Sequence, residues 1–235
     1  MMRLFSLILV TVFCIILSGC DLVSDNPDKL ETDVTITTTS AESETEKEDP
    51  ELERFRNMTQ EEIEKDIFDD AEKLYAMFDL TTLYCDENKQ ITIGDMIYNA
   101  VQSHQPDLDS SVDFSSYENF KNYTRTIFSD EFTDKLFKDN ERYINLNGKL
   151  YAIIADRGSD ISYHSRTFAV TKAEEDKVEY TIYAKYIKDE YFEDYFDGKW
   201  NETTVPAYAL ETREYVYPRE KINDKWVFTD FCSVY

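Results

Sequence analysis

Apolar residues recur at three- and four-residue steps in the chain that follows residue 59. Thr59-Gln60-Glu61-Glu62 is a capping box, which marks the start of a helix. In it the Thr59 hydroxyl accepts from the Glu62 backbone amide, and the Glu62 carboxylate accepts from the Thr59 backbone amide. The pattern behind it predicts a helix of about five turns with one buried stripe. That stripe consists of Ile63, Ile67, Ala71, Leu74, Tyr75 and Phe78.

Shorter elements are predicted next. A short extended piece covers Thr82 to Cys85, and Ile93 to Val101 has the pattern of a second, weaker helix. After a polar loop, Ser115 to Glu118 offers another capping box. It opens a helix through Phe120, Tyr123 and Ile127, and a shorter helix is predicted from Asp130 to Phe137.

The hydrophobic period changes to two after Asn140, which predicts three antiparallel hairpins. The first turns at Asn147-Gly148, residues that favour the positive φ angles of a type I′ turn. The other two pair Ser162–Thr171 with Val178–Ile187 and Tyr208–Tyr217 with Trp226–Val234. Helices followed by hairpins predict an α+β domain, with N-terminal helices packed on one curved antiparallel sheet.

The first residues have the pattern of an export signal. Leu4 to Leu17 is an almost unbroken apolar run behind the single charge of Arg3, and it is too short to span a bilayer. It ends in Leu17-Ser18-Gly19-Cys20, which resembles the bacterial lipobox. The resemblance implies cleavage before Cys20, a covalent diacylglycerol on its thiol, and an extracytoplasmic protein anchored by lipid to the bacterial membrane. The alternative is an ordinary signal peptide that happens to contain a cysteine.

The predicted organisation has three parts. Residues 1–19 form the signal peptide, and residues 20–58 form an acidic linker rich in Thr and Ser, too poor in large apolar residues to fold. Residues 59–235 form a single globular domain.

Charge narrows the range of partners. The formal net charge is −24 at pH 7, so the surface repels nucleic acid and anionic lipid headgroups. Membrane attachment is therefore expected through the acyl chains alone, and the acidity favours cations or a basic partner.

Few residues are arranged for catalysis. The chain has two histidines, His104 and His164, and neither is spaced from another residue as in a known catalytic or metal-binding motif. Its five glycines are too few to favour a glycine-rich phosphate-binding loop. No cofactor is expected beyond the lipid. The sequence leaves enzyme activity open but favours a non-catalytic protein.

One weak metal candidate has the spacing of an EF-hand calcium loop, although Val112 stands where that loop needs glycine. The alternative is a solvated loop and a helix cap. Its oxygen ligands would be Asp107, Asp109, Ser111, Asp113 and Glu118.

Two further features leave alternatives open. Cys85 and Cys232 could form a disulfide after export, or stay reduced. Tyrosines concentrate in the predicted sheet, where Tyr180 and Tyr186 point one way along their strand and Tyr183 the other. They are explained either by the strand propensity of tyrosine or by an open, ring-lined concave face for a ligand.

Several aromatic residues follow the second hairpin. They could rim such a concave face, or they could form a short amphipathic helix that covers the sheet. The residues are Tyr191, Phe192, Tyr195, Phe196 and Trp200.

Two family resemblances follow from these segments. The order of elements, ending in Tyr215-Val216-Tyr217 and Lys225-Trp226-Val227-Phe228, resembles the nuclear-transport-factor-like or cystatin-like cone fold. The stretch from Tyr117 to Gly158, with Phe128-Ser129-Asp130-Glu131-Phe132 and Asn147-Gly148-Lys149-Leu150, is similar to the IseA-like inhibitors of cell-wall DL-endopeptidases.

The second resemblance implies binding without catalysis. We therefore expect a binding or inhibitor-like domain that acts on an envelope protein or a cell-wall component. The alternative is a cone-fold small-ligand receptor or hydrolase with an acidic pocket.

Overall fold

A computed structural model describes residues 50–235, and its first element is a short helix. This helix, α1 (Pro50–Arg56), buries Leu52 and Phe55, and the Phe55 ring lies 5.1 Å from that of Trp226. This helix lies within residues 20–58, the segment predicted as a linker, and it packs on the domain through these two side chains. Two apolar side chains among many acids were enough to dock the segment, because a partner surface was available to cover them.

The predicted long helix is present, with an irregular turn inside it. It consists of α2 (Gln60–Ile63), a π-helical turn (Glu64–Phe68) and α3 (Asp69–Asp79). Both hydrogen bonds of the capping box at Thr59 and Glu62 form. The π turn accommodates one extra residue. As a result Phe68 is fully buried, whereas Ile67, which the regular pattern placed in the buried stripe, is only half-buried.

The predicted helix from Ile93 to Val101 is wrong. Strands β1 (Cys85–Ile93) and β2 (Met96–Val101) form a hairpin there instead, with Gly94 at a φ of 60° in the turn. Isoleucine and tyrosine favour strands, and pairing of β2 with a later strand supplies the tertiary context that decides between the two structures.

Two helices follow the polar loop, close to their predicted positions. They are α4 (Tyr117–Ile127) and α5 (Asp130–Asp139). The N-cap of α4 is Ser116, whose hydroxyl accepts from the Asn119 amide, rather than the predicted Ser115. Ser115 instead bonds the Asp113 carboxylate through its hydroxyl at 2.6 Å.

The first sheet combines early and late strands. Strands β3 (Tyr143–Leu146) and β4 (Lys149–Ala152) form the predicted hairpin, with φ angles of 52° at Asn147 and 84° at Gly148. Strand β4 also pairs with β2, so this sheet has the strand order β1-β2-β4-β3.

The second sheet contains the other two predicted hairpins. Its strands are β5 (Tyr163–Ala173), β6 (Lys177–Ile187), β7 (Leu210–Ile222) and β8 (Lys225–Phe228), in sequential antiparallel order. The connection between β6 and β7 contains α6 (Phe192–Phe196) between two short 3₁₀ turns.

The α+β class is confirmed, but the described strands form two four-stranded antiparallel sheets rather than one curved sheet. Hydrophobic alternation shows which residues face a core but not which non-adjacent strands share hydrogen bonds, so the division was not visible in the sequence.

The core is rich in aromatic rings, and Phe68 lies at its centre. Its ring centroid lies 5.1 Å from those of Phe168 and Tyr217, and 5.5 Å from that of Phe228. These partners come from β5, β7 and β8. The helical segment therefore packs against the second sheet through this one side chain and its neighbours.

Candidate functional site

The tyrosine face of β6 is filled rather than open. Tyr180 and Tyr186 are buried, and Tyr183 on the opposite face is half-buried. The Tyr180 ring packs 5.8 Å from Phe68, and the Tyr186 hydroxyl lies 3.0 Å from that of Tyr215. Core packing accounts for these rings, and an open ring-lined concavity is not found on this face.

A partly buried ion-pair network lies beside Tyr235. Arg166 contacts Glu72 and, at 3.0 Å, Glu64, and its guanidinium lies 5.5 Å from the Tyr235 ring centroid. Burial would lower the pKa of Arg166, but the two carboxylates raise it, so the guanidinium stays charged. This network ties α3 to β5 and has a structural role.

Cys85 and Cys232 are both free thiols in the structure, and a disulfide between them stays a prediction. The Cys85 thiol donates to the Leu83 carbonyl at 3.1 Å, and burial raises its pKa to about 11. A thiol with so high a pKa is a poor nucleophile at neutral pH.

The five oxygen ligands of the calcium hypothesis lie in the polar loop and the start of α4. Asp109 accepts from the Ser111 amide at 2.8 Å, and Asp113 accepts from the Ser115 amide at 3.0 Å. Among residues 50–235, no group of three His, Cys, Asp or Glu side chains is placed to hold a metal ion. Calcium binding by Asp107, Asp109, Ser111, Asp113 and Glu118 stays a prediction.

A more distinctive feature is the connection between β6 and β7. Its predicted short helix forms as α6, but no residue of that helix is buried, so it does not serve mainly as a cover for the sheet. His164 of β5 holds the far part of this connection through a ring nitrogen 2.8 Å from the Glu202 carbonyl oxygen. A turn at Asn201, whose side chain accepts from the Thr203 amide at 3.0 Å, orders the same part.

This connection gathers six aromatic side chains at or near the surface. Phe196 is 59% exposed and Tyr208 is 61% exposed, and the others are half-buried. Exposed clusters of this kind commonly mark interaction sites in soluble proteins. We refer to the set as the aromatic surface: Tyr191, Phe192, Tyr195, Phe196, Trp200 and Tyr208.

Three of these rings form a compact triad. The centroid of Tyr191 lies 6.0 Å from Trp200 and 5.5 Å from Tyr208, and Trp200 and Tyr208 are 6.3 Å apart. The interplanar angles are 56°, 66° and 82°, so the rings are steeply inclined to one another.

The connection that carries the aromatic surface has more acidic residues than basic ones. Two lysines also belong to the connection, but Lys199 pairs with Asp194 at 2.8 Å and Lys188 donates to the Tyr208 carbonyl at 2.6 Å. Desolvation and the negative field of Glu190 both raise the pKa of Tyr191. The acidic residues are Asp189, Glu190, Glu193, Asp194, Asp197 and Glu202.

The sequence pointed to five of the six aromatic residues, and it placed Tyr208 at the start of a strand instead. Tyr208 lies in a 3₁₀ turn, Ala207–Ala209, just before β7. The preceding Pro206 was the available signal, because proline interrupts a regular strand.

Two comparisons with known proteins found no match to the chain. No protein-family model matches it, and no curated protein matches it in sequence.

Proposed function

We propose that this protein is an extracytoplasmic lipoprotein of the bacterial envelope, whose domain binds another envelope component without catalysis, as a binder or an inhibitor. The observation that carries the binding proposal is the aromatic surface, on which large rings remain accessible to a partner. Aromatic residues provide much of the binding energy at protein interfaces.

The anchoring part of the proposal depends on residues 1–20. The apolar run and the lipobox-like Leu17-Ser18-Gly19-Cys20 support it, and both lie outside the described residues. Among residues 50–235, no helix is long and apolar enough to cross a membrane.

The finer fold assignment also belongs to this proposal. Packing of the N-terminal helices against one face of the second sheet supports a cone-like domain. The similarity of Tyr117 to Gly158 to IseA-like inhibitors supports an inhibitory role toward a cell-wall endopeptidase.

One observation favours the alternative of a small-ligand receptor. Asp70, Asp107 and Asp109 line one cavity of about 660 Å³ together with Tyr123. If this cavity binds a cationic small molecule, such a molecule will raise the thermal unfolding temperature, and the double substitution Asp70→Asn, Asp107→Asn will abolish the shift.

Site-specific cross-linking in intact cells tests the main proposal. A photoreactive amino acid at Phe196 should yield a discrete cross-linked product with an envelope protein or cell-wall fragment. The matched control is Ile97, which is 53% exposed but lies in β2 of the first sheet, outside the aromatic surface. Equal products from both positions, or none from Phe196, would contradict binding through the aromatic surface.

A further inference from the structure

We propose that the aromatic surface binds a lysine- or arginine-rich segment of a partner protein. This inference rests on the proposed function and specifies the chemistry of the partner. Three observations carry it: the ring geometry, the distribution of charge and the extent of the surface.

The ring geometry suits a cation. The negative faces of aromatic rings attract ammonium and guanidinium groups within about 6 Å, and tryptophan does so best. The chain itself shows this chemistry at the edge of the surface, where the Lys199 ammonium lies 5.3 Å from the Trp200 centroid and is held by Asp194. Rings and carboxylates therefore already cooperate here in holding one positive charge.

The distribution of charge calls for further cations. Asp189, Glu190, Glu193 and Asp197 form no ion pair with any lysine or arginine of residues 50–235. Residues 188–209 include no arginine, and both of their lysines are engaged. An approaching basic segment would thus meet carboxylates that the protein does not neutralise itself.

The extent of the surface suits a segment rather than a single cation. A second ring group follows Tyr191 directly in the chain, on α6, and in it Phe196 is 5.3 Å from Phe192 and 5.6 Å from Tyr195. This second group offers apolar contact for the aliphatic stems or neighbouring side chains of a basic peptide. Nucleic acid and anionic lipid do not fit, since both would be repelled by the same carboxylates.

Binding of a fluorescent arginine-serine peptide to the full-length protein tests the proposal, with a glutamate-serine peptide as the probe control. We expect the basic peptide alone to bind, more weakly as salt is raised. The triple variant Glu190→Gln, Glu193→Gln, Asp197→Asn and the variant Trp200→Leu should each bind roughly tenfold more weakly.

The matched charge control is Glu175→Gln, Asp176→Asn, Asp224→Asn, which removes three exposed carboxylates at the hairpin turns. It should leave the affinity within about twofold of the parent value, because distant exposed charges are screened. An equal loss of affinity in both triple variants would mean that the peptide responds only to the net charge of the protein, and this would overturn the proposal. The absence of any peptide binding would overturn it as well.

Trp200 fluorescence locates the bound peptide. Trp226→Phe leaves Trp200 as the only tryptophan, and it should be tolerated, since the Trp226 indole nitrogen has no hydrogen-bond partner among the described residues. The basic peptide should shift the Trp200 emission. A response to phosphocholine vesicles but not to the peptide would reassign the surface to lipid headgroups and overturn the proposal.

Failure of this inference can be distinguished from failure of the proposed function. If the Phe196 cross-link persists unchanged in the acid-to-amide triple variant and at high salt, the aromatic surface binds a partner that is not basic. The proposed function then stands, and the basic-segment inference falls.

Discussion

The side chain of Phe68 shows how much of this domain depends on single aromatic residues. It is fully buried, and five ring centroids lie between 5.1 and 5.9 Å from its own. The pairs with Tyr180 and Tyr217 are edge-to-face, a geometry that contributes to stability beyond the burial of area. Because its partners come from β5, β6, β7, β8 and the segment after β8, Phe68 connects the helices to every strand of the second sheet.

Phe68→Ala is expected to destabilise the domain by about 3 to 5 kcal/mol, since it removes a large core side chain and leaves a cavity. Urea denaturation followed by circular dichroism would measure the loss. Ile161→Ala serves as the control, because Ile161 is 69% exposed, and it should change the free energy of unfolding by less than about 0.5 kcal/mol. Similar losses in both variants would contradict the central role of Phe68.

At the scale of elements, the sequence predicted most helices and three hairpins, but it did not predict which non-adjacent strands pair. Each of the three predicted hairpins forms, because its strands are neighbours in sequence and its turn residues suit the required backbone. Asn223 and Asp224, for example, adopt φ angles of 51° and 61° between β7 and β8. The β1–β2 hairpin was not predicted, because the apolar residues from Ile93 to Val101 also fit a helical pattern; β2 pairs with β1 and with β4, which follows some fifty residues later.

The irregular features had weaker sequence signals. The π turn at Glu64–Phe68 is invisible to a pattern that assumes 3.6 residues per turn. At the candidate site, the sequence showed that aromatic residues cluster after β6, but it did not show how exposed their side chains are. Whether Tyr191 and Trp200 cover the sheet or face a partner depends on how the connection folds back after β6, which no local pattern determines.

The capping box at the start of α2 carries a prediction at this scale. Thr59→Ala is expected to cost about 1 kcal/mol, because the hydroxyl that accepts from the Glu62 amide is lost. The hydrogen bonds that Thr59 donates, from its backbone amide first and then from its hydroxyl, lower the pKa of Glu62. The ionised Glu62 carboxylate therefore adds its full stability at a pH above its pKa in the unfolded chain. This contribution disappears as the pH falls through the pKa that Glu62 has in the folded protein.

Unfolding measured at neutral and at acidic pH would check both statements. Glu62→Gln should lower stability at neutral pH and should differ less from the parent at a pH below the folded pKa of Glu62. Glu61→Gln is the control, since Glu61 neighbours the cap without accepting from Thr59. A loss from Glu62→Gln that is the same at both pH values would contradict the linkage.

At the scale of the whole molecule, anchoring and binding are assigned to different parts of the chain. The strong negative charge, −24 overall, disfavours electrostatic attachment to an anionic bilayer, and we propose that membrane association depends on the lipid on Cys20. The described domain contributes the aromatic surface and, within residues 50–235, no membrane-spanning helix. The two roles should therefore be separable by single substitutions.

Cys20→Ala is expected to abolish palmitate labelling in growing cells and to remove the protein from the membrane fraction, because the acyl chains have no attachment point. Cys14→Ala is the matched control, since Cys14 lies within the predicted apolar run and is given no role in lipidation. It should keep both labelling and membrane association. Fractionation and immunoblotting measure the distribution, and the Phe196 cross-linker reports binding independently. Palmitate labelling that persists in the Cys20→Ala protein would contradict the proposed lipid on Cys20. It would not affect the aromatic surface or the cross-linking test.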